Sequence, residues 1–132
     1  MFKTIVFLTL ILGALATKLD FVHAEKTSRK IFDDYFNQVS WIERDGIISL
    51  SIDHKKVGLF EISDAFRTIE ELHNGDSYWQ NRDSLYAQFA CHVQFAQTKN
   101  PWNLEPHRTT TSLLTTILNL CNPAKFYDML NN

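Results

Sequence analysis

Apolar and polar positions alternate most regularly from residue 47 to residue 52, and this alternation predicts a half-buried β-strand. A second apolar run, residues 39–44, precedes it along the chain. Asp45 and Gly46 separate the two runs, and an Asp-Gly pair favours a tight hairpin turn because that turn needs a positive φ at both central residues. The pattern therefore predicts a β-hairpin formed by the two runs.

Helical spacing of apolar side chains predicts three short helices. The first covers residues 31–37, the second runs from a Ser63 cap to about His73, and the third covers residues 112–120, with Thr111 or Ser112 as its cap. Residues 54–56, between the hairpin and the second helix, are expected to form a solvated turn.

The segment 89–96 fits two periodicities. Large apolar side chains alternate there with small or polar ones, which favours a strand with Cys91 facing inward and His92 outward. A helical stripe that includes Leu85 and Val93 fits the same segment, and we interpret it as a strand. With the hairpin, this strand gives an α+β fold in which short helices pack on a small antiparallel sheet.

Residues 1–24 have the pattern of a secretory signal peptide, with Lys3 ahead of the uncharged run 4–16. A helix of that length spans roughly 20 Å, short of the ~30 Å hydrocarbon core, so a stable membrane anchor is not expected. Cleavage is expected after Ala24, with a site after Ala16 as the alternative and a buried N-terminal helix as the other interpretation. The prediction is a secreted, extracellular protein whose residues 25–132 form a single domain.

Composition narrows the classes of function. The chain has 132 residues, of which 45% are apolar, with 15 acidic and 13 basic side chains and a net charge of −2. This length suits one domain, and the apolar share is sufficient for a core, which excludes global disorder. A nucleic acid is not expected as a partner, because its binding needs clustered positive charge.

Cys91 and Cys121 are the two cysteines of the chain. An exported protein enters an oxidising compartment, so we expect them to form a disulfide, with a free reactive thiol as the alternative. Two cysteines cannot make a four-thiolate zinc site, and the histidines do not show metal-ligand spacing, so we predict no metal and no cofactor.

Candidate chemistry lies around these cysteines, next to a loop predicted over residues 101–108. His92 and Glu105 are candidate catalytic acid and base residues, and Arg108 is the candidate for stabilising an anionic centre. The other interpretation is structural: Glu105 and Arg108 pair with each other or with the backbone, and Trp102 fills the core beneath the disulfide. Candidate binding residues in the loop are Trp102, Asn103 and His107.

Four separated blocks carry a family resemblance: SWIERDG followed by SLS, then FACH, then WNLEP with Arg108, and finally CNP. Together they resemble a family of small secreted bacterial proteins known as domain of unknown function 2599, over residues 35–123. The resemblance implies export from a Gram-positive bacterium and a disulfide-bridged domain, and it implies no known activity. The family pattern favours Trp where this chain has His107, which puts a catalytic role for His107 in doubt.

No recognised catalytic motif is present. The leading hypothesis is a secreted, non-enzymatic binding or interaction protein whose partner is another protein or a cell-envelope ligand, contacted by the loop 101–108 and exposed aromatic side chains. The alternative is a small secreted hydrolase or toxin, nuclease-like or glycan-cleaving, that uses His92, Glu105 and Arg108. A structural envelope protein is the third hypothesis.

Overall fold

A computed structural model describes residues 32–121, so the predicted signal peptide lies outside the described residues. Residues 32–35 are helical, as predicted for the first helix, but the prediction is wrong at Phe36 and Asn37, which begin the first strand because they pair with β2. The elements that follow are β1 (Phe36–Arg44), β2 (Ile47–His54), a 3-10 turn (Leu59–Glu61), α1 (Ile62–His73), α2 (Arg82–Phe95), β3 (Trp102–Leu104) and α3 (Leu113–Leu118).

The three strands form one antiparallel sheet in the order β1-β2-β3, which confirms the predicted α+β class. The β1–β2 hairpin closes at Asp45 and Gly46, whose φ angles are 52° and 77°. Both values are positive, as the predicted turn requires. Across the sheet, Trp41 pairs with Leu50, and Leu50 pairs with Leu104.

The predicted strand over residues 89–96 is wrong, because this segment is the second half of helix α2. The side chains of the alternative helical stripe face the core: Leu85, Phe89 and Val93 are at most 1% exposed. All residues between them except the partly buried Tyr86 are also buried, including the polar Gln88 and His92, so no exposed polar face reveals the helical period in the sequence. His92, predicted to face outward, is only 2% exposed.

The third strand comes from within the predicted loop 101–108, since Trp102–Leu104 pairs with β2. Its length of three residues is too short for an alternating pattern to be recognised. The predicted solvated turn is also wrong at its first residue. His54 ends β2, is 8% exposed and stacks on the Trp102 ring with 3.6 Å between the ring centroids.

Helix ends follow the predictions in part. Helix α1 ends at His73 as predicted but begins at Ile62, with Glu61 at the N-cap position, so Ser63 lies within the first turn and is not the cap. Helix α3 lies within the predicted range 112–120. The side chain of Ser112 accepts a hydrogen bond from the Thr115 backbone amide at 3.2 Å and caps this helix.

The core lies between one face of the sheet and the helices α1 and α2. Its largest fully buried side chains include Trp102, Phe36, Phe66 and Phe89. The disulfide is confirmed: Cys91 of α2 bonds to Cys121, with their Cα atoms 5.5 Å apart. This bond fastens the segment that carries α3 to the buried helix α2.

Candidate binding site

Glu105 and Arg108, two of the predicted catalytic residues, form an ion pair with each other. Their side chains are 10% and 8% exposed, so each charge is withdrawn from solvent. Gln88 of α2 also holds the backbone of Glu105, since the Glu105 amide donates to Gln88 Oε1 at 2.8 Å and Gln88 Nε2 donates to the Glu105 carbonyl at 3.1 Å. This arrangement matches the structural interpretation of the loop.

His92, the third predicted catalytic residue, is engaged within its own helix. Its Nδ1 lies 2.8 Å from the Gln88 carbonyl oxygen. Burial lowers the pKa of His92, and the Gln88 bond opposes that shift only in part, so the neutral ring is favoured. Within residues 32–121 no hydrogen bond joins His92 to Glu105 or Arg108, and their catalytic roles stay predictions.

The predicted binding residues lie in three different environments. Trp102 is fully buried in the core, where its Nε1 donates to the Ala96 carbonyl at 2.8 Å. Asn103 lies on the sheet face that points away from the core, because its strand neighbours are buried in the core. His107 is exposed, and of the three it is the one that lines an open groove.

This groove, which we call the turn groove, lies between the hairpin turn and the loop after β3. Its volume is about 380 Å³, and it is lined by Gly46, Ile47, Ile48, Tyr78, Gln80, Pro106 and His107. Tyr78 is 46% exposed and presents the largest aromatic surface there. Asn81 holds the part of the groove that Pro106 and His107 line, since Asn81 Nδ2 donates a hydrogen bond to the Pro106 carbonyl at 2.7 Å.

A carboxylate orients the linker that carries Tyr78. Asp76 Oδ2 accepts a hydrogen bond from His73 Nδ1 and another from Trp41 Nε1, both at 2.8 Å. These two donors, His73 first, hold the pKa of Asp76 below its usual range. The Trp41 and Tyr78 rings are also in contact, with centroids 5.7 Å apart. The cluster therefore joins β1, the end of α1 and the rim of the turn groove.

Among the described residues that line the turn groove, His107 is the one acidic or basic side chain. The lining offers apolar contact through its isoleucines and proline, and hydrogen bonding through Tyr78, Gln80 and His107. The groove is suited to reversible contact with an uncharged surface.

Among residues 32–121, no three His, Cys, Asp or Glu side chains are grouped as metal ligands. In the same part of the chain no helix has the length and apolar character needed to cross a membrane.

The family described as "Protein of unknown function (DUF2599)" matches residues 36–124, which is more than half of the chain. The chain belongs to the DUF2599 family. This match confirms the resemblance drawn from the four sequence blocks. Comparison of this DUF2599 chain with curated proteins and with solved structures returns no match.

Sequence reasoning missed most of the turn groove in this DUF2599 domain. Tyr78 and Gln80 lie in a polar linker without periodic apolar positions, and Ile47 belongs to the predicted hairpin, so no local pattern marks them as binding residues. The one sequence signal for the cluster of Asp76, His73 and Trp41 is the spacing of His73 and Asp76, which lie three residues apart across the end of α1. No local pattern indicates that this linker and Pro106 meet.

Proposed function

We propose that this DUF2599 protein is a secreted, non-enzymatic binding protein whose partner contacts the turn groove. The observation that carries the proposal is the burial of the candidate catalytic set. Glu105 and Arg108 neutralise each other beneath the surface, and His92 is buried against its own helix. Tyr78 and His107, by contrast, are exposed and line the same open groove.

The partner is another protein or a component of the cell envelope. The absence of basic side chains other than His107 from the groove argues against a nucleic acid, whose phosphates need positive charge. Exposed tyrosine and isoleucine side chains beside hydrogen-bonding groups are typical of sites where proteins contact one another. The predicted signal peptide supports an encounter outside the cell.

The test compares retention of the partner by tagged proteins. The wild type, a Tyr78→Ala/His107→Ala double variant and a Phe60→Ala variant are incubated with culture fluid and with isolated envelope from the producing cells. Phe60 is fully exposed outside the groove and is the matched control. We expect saturable retention by the wild type and the control, displaced by excess untagged protein, and its loss in the double variant.

Two results would contradict the proposal. Retention by the double variant equal to that of the wild type would remove the turn groove as the contact surface. Turnover of RNA or glycan substrates that disappears in a His92→Gln variant of unchanged melting temperature would favour the hydrolase instead. Export is tested separately, by sequencing the N-terminus of the exported protein, which we expect to begin at Glu25.

A further inference from the structure

The sheet face turned away from the helices carries a second, polar cleft. Direct pairing places Ser40 opposite Ser51, and Ser51 opposite Asn103. Leu50 adjoins Ser51 and Leu104 adjoins Asn103, and both leucines are fully buried in the core. Because side chains alternate along a strand, Ser51 and Asn103 point to the opposite face of the sheet, and Ser40, which pairs with Ser51, points the same way. This sheet-face cleft has a volume of about 240 Å³ and is lined by Gln38, Ser40, Ser51, Asp53, Asn100 and Pro101.

Asp53 provides a fixed carboxylate in the cleft. Its Oδ1 accepts hydrogen bonds from Asn100 Nδ2 at 2.8 Å and from Asn37 Nδ2 at 3.1 Å. The Asn100 amide is itself held, because its Oδ1 accepts from the His54 backbone amide at 3.1 Å. The two asparagine bonds, Asn100 first, lower the pKa of Asp53, so the carboxylate is charged at neutral pH.

Polar atoms beside the cleft have unused hydrogen-bonding capacity. Ser49 Oγ and Asn103 Oδ1 are buried and have no hydrogen-bond partner within residues 32–121. Ser49 and Asn103 lie on the same sheet face as Ser51 but do not line the cleft, so the hydroxyl groups that a ligand can reach are those of Ser40 and Ser51. Within residues 32–121 the Ser40 and Ser51 side chains make no hydrogen bond, so both can donate to or accept from a ligand hydroxyl group.

We propose that the sheet-face cleft binds a neutral saccharide. Sugar hydroxyl groups both donate and accept, which matches a lining of one carboxylate, two amides and two serine hydroxyls. Asp53 is the one charged side chain among the described lining residues, so an anionic ligand would be repelled. An apolar ligand would leave the lining groups unpaired, at a cost in free energy.

The dimensions of the cleft set the size of the ligand. Pockets for drug-sized ligands have volumes of roughly 300–1,000 Å³. The sheet-face cleft, at about 240 Å³, suits a single sugar ring of a longer glycan. The site shares no lining residue with the turn groove, so the inference is independent of the proposed function.

The test is a titration of the disulfide-bonded protein with gluco-, manno- and chito-oligosaccharides, followed by backbone amide chemical shifts. We expect saturable shifts at Ser40, Ser51 and Asn100 with at least one series. Asp53→Asn replaces a charged acceptor oxygen with an amide donor and Ser51→Ala removes a hydroxyl group, and each should weaken binding roughly tenfold. Ser63→Ala, an exposed serine of α1, is the matched control and should leave the affinity unchanged.

Each contrary outcome overturns the inference. Absence of saturable shifts with all three series excludes a saccharide site. Shifts that persist in Asp53→Asn and Ser51→Ala, or that fall on Tyr78 and His107, move the ligand away from the cleft. Equal or tighter binding of inorganic phosphate excludes a neutral ligand. If Asp53→Asn does not fold, Ser51→Ala and Ser40→Ala carry the comparison, since neither residue makes a side-chain hydrogen bond within residues 32–121.

Discussion

Gln88 fastens the loop after β3 to helix α2, and Gln88→Leu should destabilise the protein strongly. The Gln88 side chain is fully buried and makes two hydrogen bonds to the backbone of Glu105 and a longer one to Ser84 Oγ at 3.3 Å. Leucine has a similar volume, so the variant leaves little cavity and isolates the loss of polar contacts. The Glu105 amide would then have no acceptor.

The magnitude follows from these contacts. An unpaired buried amide costs about 1–3 kcal/mol, and each of the other two bonds contributes about 0.5–1.5 kcal/mol. Because the Glu105 carbonyl keeps its bond from the Arg108 amide at 3.2 Å, its loss is partial. We therefore expect the free energy of unfolding to fall by about 2–4 kcal/mol, which lowers the melting temperature by roughly 10–25 °C in a domain of this size.

Urea denaturation followed by tryptophan fluorescence measures this change. Gln94→Leu is the matched control, because Gln94 lies on the same helix but is exposed and should change stability by no more than about 0.5 kcal/mol. An unchanged m-value would show that the denaturation still reports the same cooperative transition. A loss for Gln88→Leu no greater than that of the control would refute the assignment of Gln88 as the main attachment of the loop.

Three further predictions concern the disulfide and two titrating groups. Replacing Cys91 and Cys121 with serine opens a loop of 30 residues and should cost about 3–4 kcal/mol in urea denaturation; an unchanged midpoint would contradict this. Burial lowers the pKa of His92 in the folded protein, so as the pH falls below about 6.5 the unfolded chain takes up a proton at His92 before the folded protein does. The free energy of unfolding should therefore decline from pH 7 down to the pKa of His92 in the folded protein. His92→Gln should make that decline shallower, as measured by melting temperature against pH, and an identical slope would count against it. Trp41→Phe removes one hydrogen-bond donor to Asp76 and should raise the pKa of the Asp76 carboxyl group. Carboxyl chemical shifts followed against pH measure this pKa, and an unchanged value would contradict the prediction.

Local signals predicted the parts of the fold that local interactions form. The hairpin turn depends on Asp45 and Gly46 alone, and the Ser112 cap depends on a residue three positions away. Helix α2 was missed because its burial is decided by distant elements: the disulfide to Cys121 and the core cover nearly all of its sides. Its polar residues Ser84, Gln88 and His92 are buried together with its apolar ones, so no exposed polar face displays the 3.6-residue period.

The candidate site was predictable to a smaller extent. The pairing of Glu105 with Arg108 was one of two interpretations, because an acid and a base three residues apart can reach each other. The burial of Trp102 depends on pairing with β2, and that pairing is not visible in a three-residue strand. The walls of the turn groove come from three separated segments, which no spacing within one segment can indicate.

The pairing of β3 with β2 sets an order of assembly for the molecule. The hairpin joins residues that are neighbours along the chain, and such hairpins form in about 1–10 μs. Leu104 must find Leu50 across the two long helices, so the sheet is completed only after a large loop has closed. Pro106 and His107 lie just after that last strand, so the part of the turn groove that they line is among the last to be placed. A chain that stops short of this step would expose core side chains to solvent and would lack part of the turn groove, so incomplete pairing of β3 would couple a tendency to aggregate with the loss of this groove.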